Sequence, residues 1–253
     1  MNLSVDLNAD LGEGAGHDEE LLGLVSSANI ACGRHAGSPE MMRASILAAR
    51  ERGVAVGAHP GFADRENFGR REVALSAEEI FSLVLDQVEE FQALAHSLGV
   101  RLQHVKPHGA LYNMAARDEE MADAIVRAIC RLNSGLILFA PGSSALSRAA
   151  ENLELRVAHE VFADRNYMPD GSLVPRTRSD ALLHDPEEAA NRVFGMLRDN
   201  KVRTIDGSEV PVTVDTICVH GDTTGAVQFA RQLRLALHQT GVMVAPVCGH
   251  ERS

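Results

Sequence analysis

Acids, histidines and a lysine recur where strand-like apolar runs end, often two residues apart. Asp6, Asn8 and Asp10 close the first run, His35 and His59 the next two, and His104, Lys106 and His108 punctuate the fourth. Glu160 and Asp164 follow a later run, and His220 with Asp222 the last. Residues two apart on a strand share a face. Parallel runs therefore bring these groups to one end of one sheet, where an active site is expected. A strand-end Asp often caps the next helix, which would account for Asp10 or Asp222 alone but not for the repetition.

The chemistry follows from the residue types. Asp6, Asp10 and Glu13 crowd three acids into one short segment; clustered carboxylates raise one another's pKa, hold a divalent cation or activate water. The glycine and the final glutamate are misplaced for a calcium loop. Asp10, His35 and His59 are candidate metal ligands of an Asp/His/His set. The alternative is neutral histidines bonded to substrate or carboxylates, and no close histidine spacing decides between the two. In Lys106-Pro107-His108-Gly109, proline fixes the backbone and glycine permits a tight bend, holding Lys106 and His108 in place. An inward lysine suits carboxylate or phosphate binding, or oxyanion stabilisation; a buried salt bridge to Asp6 or Asp10 is the structural alternative.

His220, Gly221, Asp222, Thr223 and Thr224 lead into the last helical pattern. Backbone N–H groups there are candidates to receive phosphate, although no Walker lysine accompanies them. The loop 62–71 carries the pair Arg70 and Arg71, which could close over an anionic substrate. Asp164 to Tyr167, with Pro175 and Arg176, reads as a second lid. Solvated charge is the plainer account of most single arginines in these loops.

Elements that would position these groups alternate along the chain. Strands are expected near 3–8, 26–32, 54–59, 101–106, 136–140, 156–162 and 215–220. Helical patterns lie between them at 39–52, 76–98, 118–132, 143–152, 186–199 and 224–240. Ser38 with Pro39, and Ser76 with Glu79, mark helix starts. Seven β/α units imply an α/β fold, a TIM-like parallel (β/α)7 barrel forming one domain over 1–253. An open doubly wound sheet is the alternative, without the glycine fingerprint of dinucleotide binding. Strand parity favours the barrel, with Asp6, Asn8, Asp10, His104, Lys106 and His108 facing in and Val5, Leu7, Val105 and Val219 facing out.

Bulk properties narrow the class. The 253 residues can bury a full core. A net charge of −11, from 24 basic and 35 acidic residues, argues against nucleic acid as partner. No apolar stretch reaches membrane-spanning length, and the first residues lack a secretory pattern. Cys32, Cys130, Cys218 and Cys248 form no metal-type pair and read as free thiols in a reducing cytoplasm.

The motifs together resemble the LamB/YcsF family. They are DLNADLGEG at 6–14, SANIACGRHAG at 27–37, GAHPGF at 57–62, FGRR at 68–71, QHVKPHGALYN at 103–113, EVFADRNY at 160–167, LVPR at 173–176 and CVHGDTTGA at 218–226. Ala9 and Arg34 depart from the pattern, where Cys or Ser and an aromatic are expected. The resemblance implies a cytoplasmic hydrolase acting on a cyclic amide, a component of bacterial 5-oxoprolinase. Such an enzyme converts 5-oxo-L-proline to L-glutamate with ATP hydrolysis, together with subunits B and C. ATP and a divalent cation accompanying it, Mg, are the implied cofactors, and a homo-oligomer is left open. The implied fold is similar to that of the glycoside hydrolase and polysaccharide deacetylase superfamily. On this reading Asp10 or Glu13 is a general base, His35, His59 and His108 move or orient protons, Lys106 meets the oxyanion, and 220–224 receive phosphate. The alternatives are a metal-dependent amide hydrolase and a non-catalytic binding subunit.

Overall fold

The alternation of apolar and polar residues along the first strand decides the architecture. In β1 (Ser4–Leu11) Val5, Leu7, Ala9 and Leu11 are buried in the main apolar core, while the intervening Asp6 and Asn8 are buried among polar partners. A computed structural model describes residues 4–183, 185–219 and 225–247. Seven strands pair in parallel and close into a barrel: β1, β2 (Ser27–Ala31), β3 (Ala55–His59), β4 (Leu102–Val105), β5 (Ile137–Pro141), β6 (Arg156–Phe162) and β9 (Thr216–Val219). Closure is direct, because β9 pairs with both β6 and β1. An antiparallel pair, β7 (Lys201–Arg203) and β8 (Glu209–Pro211), stands apart, and β10 (Met243–Val244) joins the start of β1. The expected seven-stranded TIM-like barrel is the observed fold, and the open sheet is not.

The helices are α1 (Asp18–Leu22), α2 (Pro39–Glu51), α3 (Ala77–Ser97), α4 (Gly109–Ala115), α5 (Glu119–Leu132), α6 (Ala145–Asn152), α7 (Pro186–Asp199) and α8 (Ala226–Gln239). Longer ones form where capping and apolar spacing agree. Ser76 accepts from the Glu79 N–H, and the Glu79 carboxylate accepts from the Ser76 N–H at 2.8 Å, starting α3. Ile80, Val84, Val88, Phe91 and Ala95 then form a fully buried stripe. Burying each of the larger of these side chains stabilises the fold by about 1.5–3 kcal/mol. Gln87 interrupts the stripe for a reason. Its side chain accepts from the Gly61 N–H (3.1 Å) and donates to the Gly61 carbonyl (3.0 Å), tying the loop after β3 to α3. Among the described residues no helix is long and apolar enough to cross a membrane. Cys32, Cys130 and Cys218 are free, as expected, and Cys248 lies outside the described residues.

The barrel interior is polar. Asp6 accepts from Ser26 and Ser27 (2.7 Å each) and from Thr216 (2.5 Å), and burial still pushes its carboxyl above the ordinary range. Asn8 donates to Thr216 (2.7 Å) and Glu160 (3.0 Å), and Asn29 donates to Asn8 (2.7 Å). His104 Nε2 meets the Asn29 side-chain oxygen Oδ1 at 2.8 Å and stacks on Phe139. Gly57 makes room for it, because a Cβ there would overlap the His104 ring. Buried polar groups hold position only when partnered, and here each layer fixes the one above it.

Candidate active site at the mouth of the barrel

Four side chains from four successive β/α units meet at the C-terminal end of the strands. Glu13 lies in the turn after β1, His35 after β2, His59 ends β3, and His108 precedes α4. Their ligand atoms all lie within 4.8 Å of one another. Glu13 Oε1 stands 3.1 Å from His35 Nε2, 3.2 Å from His108 Nδ1 and 3.8 Å from His59 Nε2. His35 and His108 stack at 3.8 Å, and Phe68 sits edge-on against both rings.

Backbone carbonyls orient two of the rings. His59 Nδ1–H donates to the Lys106 carbonyl (2.6 Å), and His108 Nε2–H donates to the Phe68 carbonyl (2.8 Å). The remaining nitrogens, His59 Nε2 and His108 Nδ1, therefore face each other at 2.9 Å beside a carboxylate. Two lone pairs and an anion repel unless a proton or a cation sits among them. Imidazoles locked by carbonyls, with lone pairs converging on a carboxylate, are the pattern that supports a bound metal. The buried His35 Nδ1 has no hydrogen-bond partner. These residues fit a divalent cation.

Charge in the cluster is unevenly held. Burial works to raise Glu13, but its close contacts with His108 and His35 hold its carboxyl down at about 2. Burial pushes His35 down to about 4. It also opposes charging of His59, yet the Asp10 carboxylate outweighs that and raises the ring above its usual value.

Lys106 forms a second centre alongside. Its ammonium lies 2.8 Å from Glu160, 3.0 Å from Asp10, 3.2 Å from Asn8 and 3.1 Å from Cys218 Sγ. Burial alone would neutralise it, but Asp10, Cys218 and Glu160 keep it charged, well above the ordinary lysine range. Glu160 also accepts from the Tyr112 hydroxyl at 2.6 Å. Asp10 joins the two centres: Oδ1 takes Lys106 and Asn29 (2.9 Å), and Oδ2 lies 3.5 Å from His59 Nε2. Asp10 is the more open carboxylate of the pair, its side chain 13% exposed against 0% for Glu160.

Asp10, Glu13, His35, His59, Lys106 and His108 all converge. The expected metal set is Asp10, His35 and His59; the atoms that close together belong to Glu13, His35, His59 and His108, with Asp10 turned toward Lys106. The lysine's salt bridge runs to Asp10 and Glu160, while Asp6 is held by hydroxyls below. His220, Gly221, Asp222, Thr223 and Thr224 lie outside the described residues. Arg34 pairs with Glu90 at the surface, 3.1 Å away, and brings no charge to the cluster. Arg65 donates to the Gly33 and Gly37 carbonyls, which makes it a fastener of the first lid. Arg70 covers Phe68 at 4.9 Å. Sequence reasoning places Asn8 facing in but gives it no role, and misses Tyr112 and Cys218 as site residues; the inward parity of Cys218, and the place of Tyr112 just after Lys106-Pro107-His108-Gly109, are the available signals.

Residues 5–252 match the LamB/YcsF family. A relative from Methylococcus capsulatus, named as the A subunit of 5-oxoprolinase, is 49% identical over 98% of each chain. The crystal structure of a lactam utilization protein from Thermus thermophilus superposes with a TM-score of 0.90 at 47% identity, covering 96% of this chain and 99% of that one. A family 4 carbohydrate esterase from Streptomyces lividans shares the fold alone, with a TM-score of 0.53 at 11% identity over 99% of this chain and 95% of the other.

Proposed function

The chain belongs to the LamB/YcsF family, and from that premise we propose that it supplies the lactam-opening site of a 5-oxoprolinase. The complex, with subunits B and C in the cytoplasm, hydrolyses 5-oxo-L-proline to L-glutamate with cleavage of ATP. The observation that carries this reading is the buried Lys106 cation clamped between Asp10 and Glu160, one carboxylate away from the Glu13–His35–His59–His108 cluster.

Ring opening needs water added across the amide C–N bond. Lys106 is a fixed positive charge placed to receive the oxygen that becomes negative as the carbonyl carbon turns tetrahedral. Asp10, the more open of its two carboxylates, takes the proton from the attacking water. The ring nitrogen must leave as an amine, and Asp10, carrying the proton taken from water and oriented by His59 3.5 Å away, is positioned to pass it on. Glu160 and Tyr112 hold the lysine. A divalent cation held by Glu13, His35, His59 and His108 would supply Lewis-acid polarisation of the carbonyl or of water. ATP enters because a lactam carbonyl is a poor electrophile. Transfer of the γ-phosphoryl group to its oxygen makes the carbon open to water. Expulsion of the ring nitrogen from the hydrated carbon leaves an open-chain acyl phosphate, which a second water cleaves to glutamate and phosphate. Residues 220–224 are the candidates to receive phosphate.

A second reading, a metal-dependent amide hydrolase that works without ATP, is favoured by the four-residue cluster itself. Reconstitution with subunits B and C separates the two. Glutamate release from 5-oxoproline that requires ATP supports the first; release that needs only metal, and stops on chelation, supports the second. No release under either condition overturns both.

A further inference from the structure

We propose that Arg165, assisted by Arg176, is the carboxylate-binding subsite for a lactam carrying an acid group next to the ring nitrogen. The inference rests on the lactam-opening reading and adds which part of the substrate the second lid recognises.

The segment between β6 and α7 folds back over the mouth. Arg165 bridges Leu182, and Tyr167 bridges Leu173, in short antiparallel contacts. Leu173 packs on Tyr112, Phe162 and Cys218; the last two lie against Lys106, and Tyr112 bonds the lysine's partner Glu160. The Phe162 N–H donates to the Tyr167 hydroxyl at 2.9 Å, so the segment is fastened to the last residue of β6. Arg192 holds it from behind, donating to the Ala163 carbonyl and the Asn166 side chain at 2.7 Å each.

Arg165 is anomalous in this setting. It is only 6% exposed, yet among the described residues it forms no salt bridge, and its one hydrogen bond is from Nη2 to the Val174 carbonyl. Its Nε–H is buried without a partner. A buried guanidinium is costly unless an anion accompanies it. Burial, reinforced by the charge of Arg176 and opposed by that of Asp164, pushes it down to about 10, so a second cation is close, and among the described residues no carboxylate is paired with the guanidinium. The planar fork of arginine matches a carboxylate. A single bound carboxylate would satisfy the orphaned donor, offset the charge of Arg165 and place the attached ring toward Lys106.

The test compares two lactams on the complex reconstituted with subunits B and C: 5-oxoproline, which bears the carboxylate, and 2-pyrrolidinone, which lacks it. Arg165→Gln should raise KM for 5-oxoproline by about tenfold or more, equivalent to about 1.4 kcal/mol, with a smaller change in kcat. Arg165→Lys should lie between, and Arg176→Gln, at an exposed position, should raise KM several-fold. Turnover of 2-pyrrolidinone, or its binding by calorimetry if turnover is too slow, should be unchanged. Equal losses for both lactams would overturn the proposal, as would a KM effect confined to ATP or competition by inorganic phosphate that vanishes in the variant. If the unmodified complex opens neither lactam, the lactam-opening reading fails. The subsite then still stands or falls on whether the chain binds 5-oxoproline more tightly than 2-pyrrolidinone, and whether Arg165→Gln and Arg176→Gln abolish the difference.

Discussion

Lys106 is the residue on which the site's electrostatics turn. Two carboxylates are buried against one ammonium, so deleting the cation leaves uncompensated negative charge below the mouth. Lys106→Met should therefore cost about 3–5 kcal/mol of stability as well as activity, read as a large fall in the unfolding midpoint. A midpoint within a degree of the original would show that the pair is not buried as described. Asp10→Asn is the cleaner probe of chemistry, because it preserves the shape and the acceptor oxygen while removing the carboxylate proposed as base. The histidines are legible in the sequence as site residues, since each ends an apolar run. Their grouping is not, because Glu13 lies three residues beyond Asp10 in a turn whose path depends on Gly12 and Gly14 at positive φ. Periodicity says nothing of such a turn.

At the scale of elements, the loops after β3 and β4 matter most. Gln87 on α3 grips both backbone groups of Gly61. The His108 N–H donates to the Pro60 carbonyl at 2.8 Å, so His35 and His108 are both placed by that loop. A Cβ at Gly61 would come 2.7 Å from His35 Nδ1. Gln87→Leu keeps the bulk and leaves the Gly61 N–H unpaired, at a cost of about 1–3 kcal/mol. The expected result is a fall of several degrees in Tm with a larger proportional loss of turnover; unchanged turnover in a folded variant would remove α3 from the account. The seven barrel strands and six long helices are readable from apolar spacing and capping residues, within a few residues at each end. The β7–β8 pair, β10, α1 and α4 are not, because two to seven residues are too few to show a period. Gly109 illustrates the gap. Its sequence context reads as a bend, but it begins α4 at φ +53, where a Cβ would lie 2.7 Å from the Gly69 carbonyl oxygen. That close approach depends on a loop forty residues away in sequence.

For the molecule as a whole, closure of the sheet is what gives the polar residues their meaning. On an open sheet Asp6, Asn8, Asn29, His104 and Thr216 would be scattered along one face; in the barrel they stack into a connected hydrogen-bonded column leading to Lys106. The column fixes the lysine and its carboxylates before substrate arrives, so little reorganisation remains for the reaction itself. The polar mouth is roofed by two loops, one fastened through Arg65 and Gln87, the other through Tyr167 and Arg192. The central claim is that lactam opening occurs here, with Asp10 as base. The direct measurement is ATP-dependent glutamate release from 5-oxoproline by the complex with subunits B and C, carrying either the native chain or Asp10→Asn. The account predicts a loss of about 10²–10⁴-fold in kcat, with the complex assembled and the chain folded. Turnover within a few-fold of the native complex would contradict it.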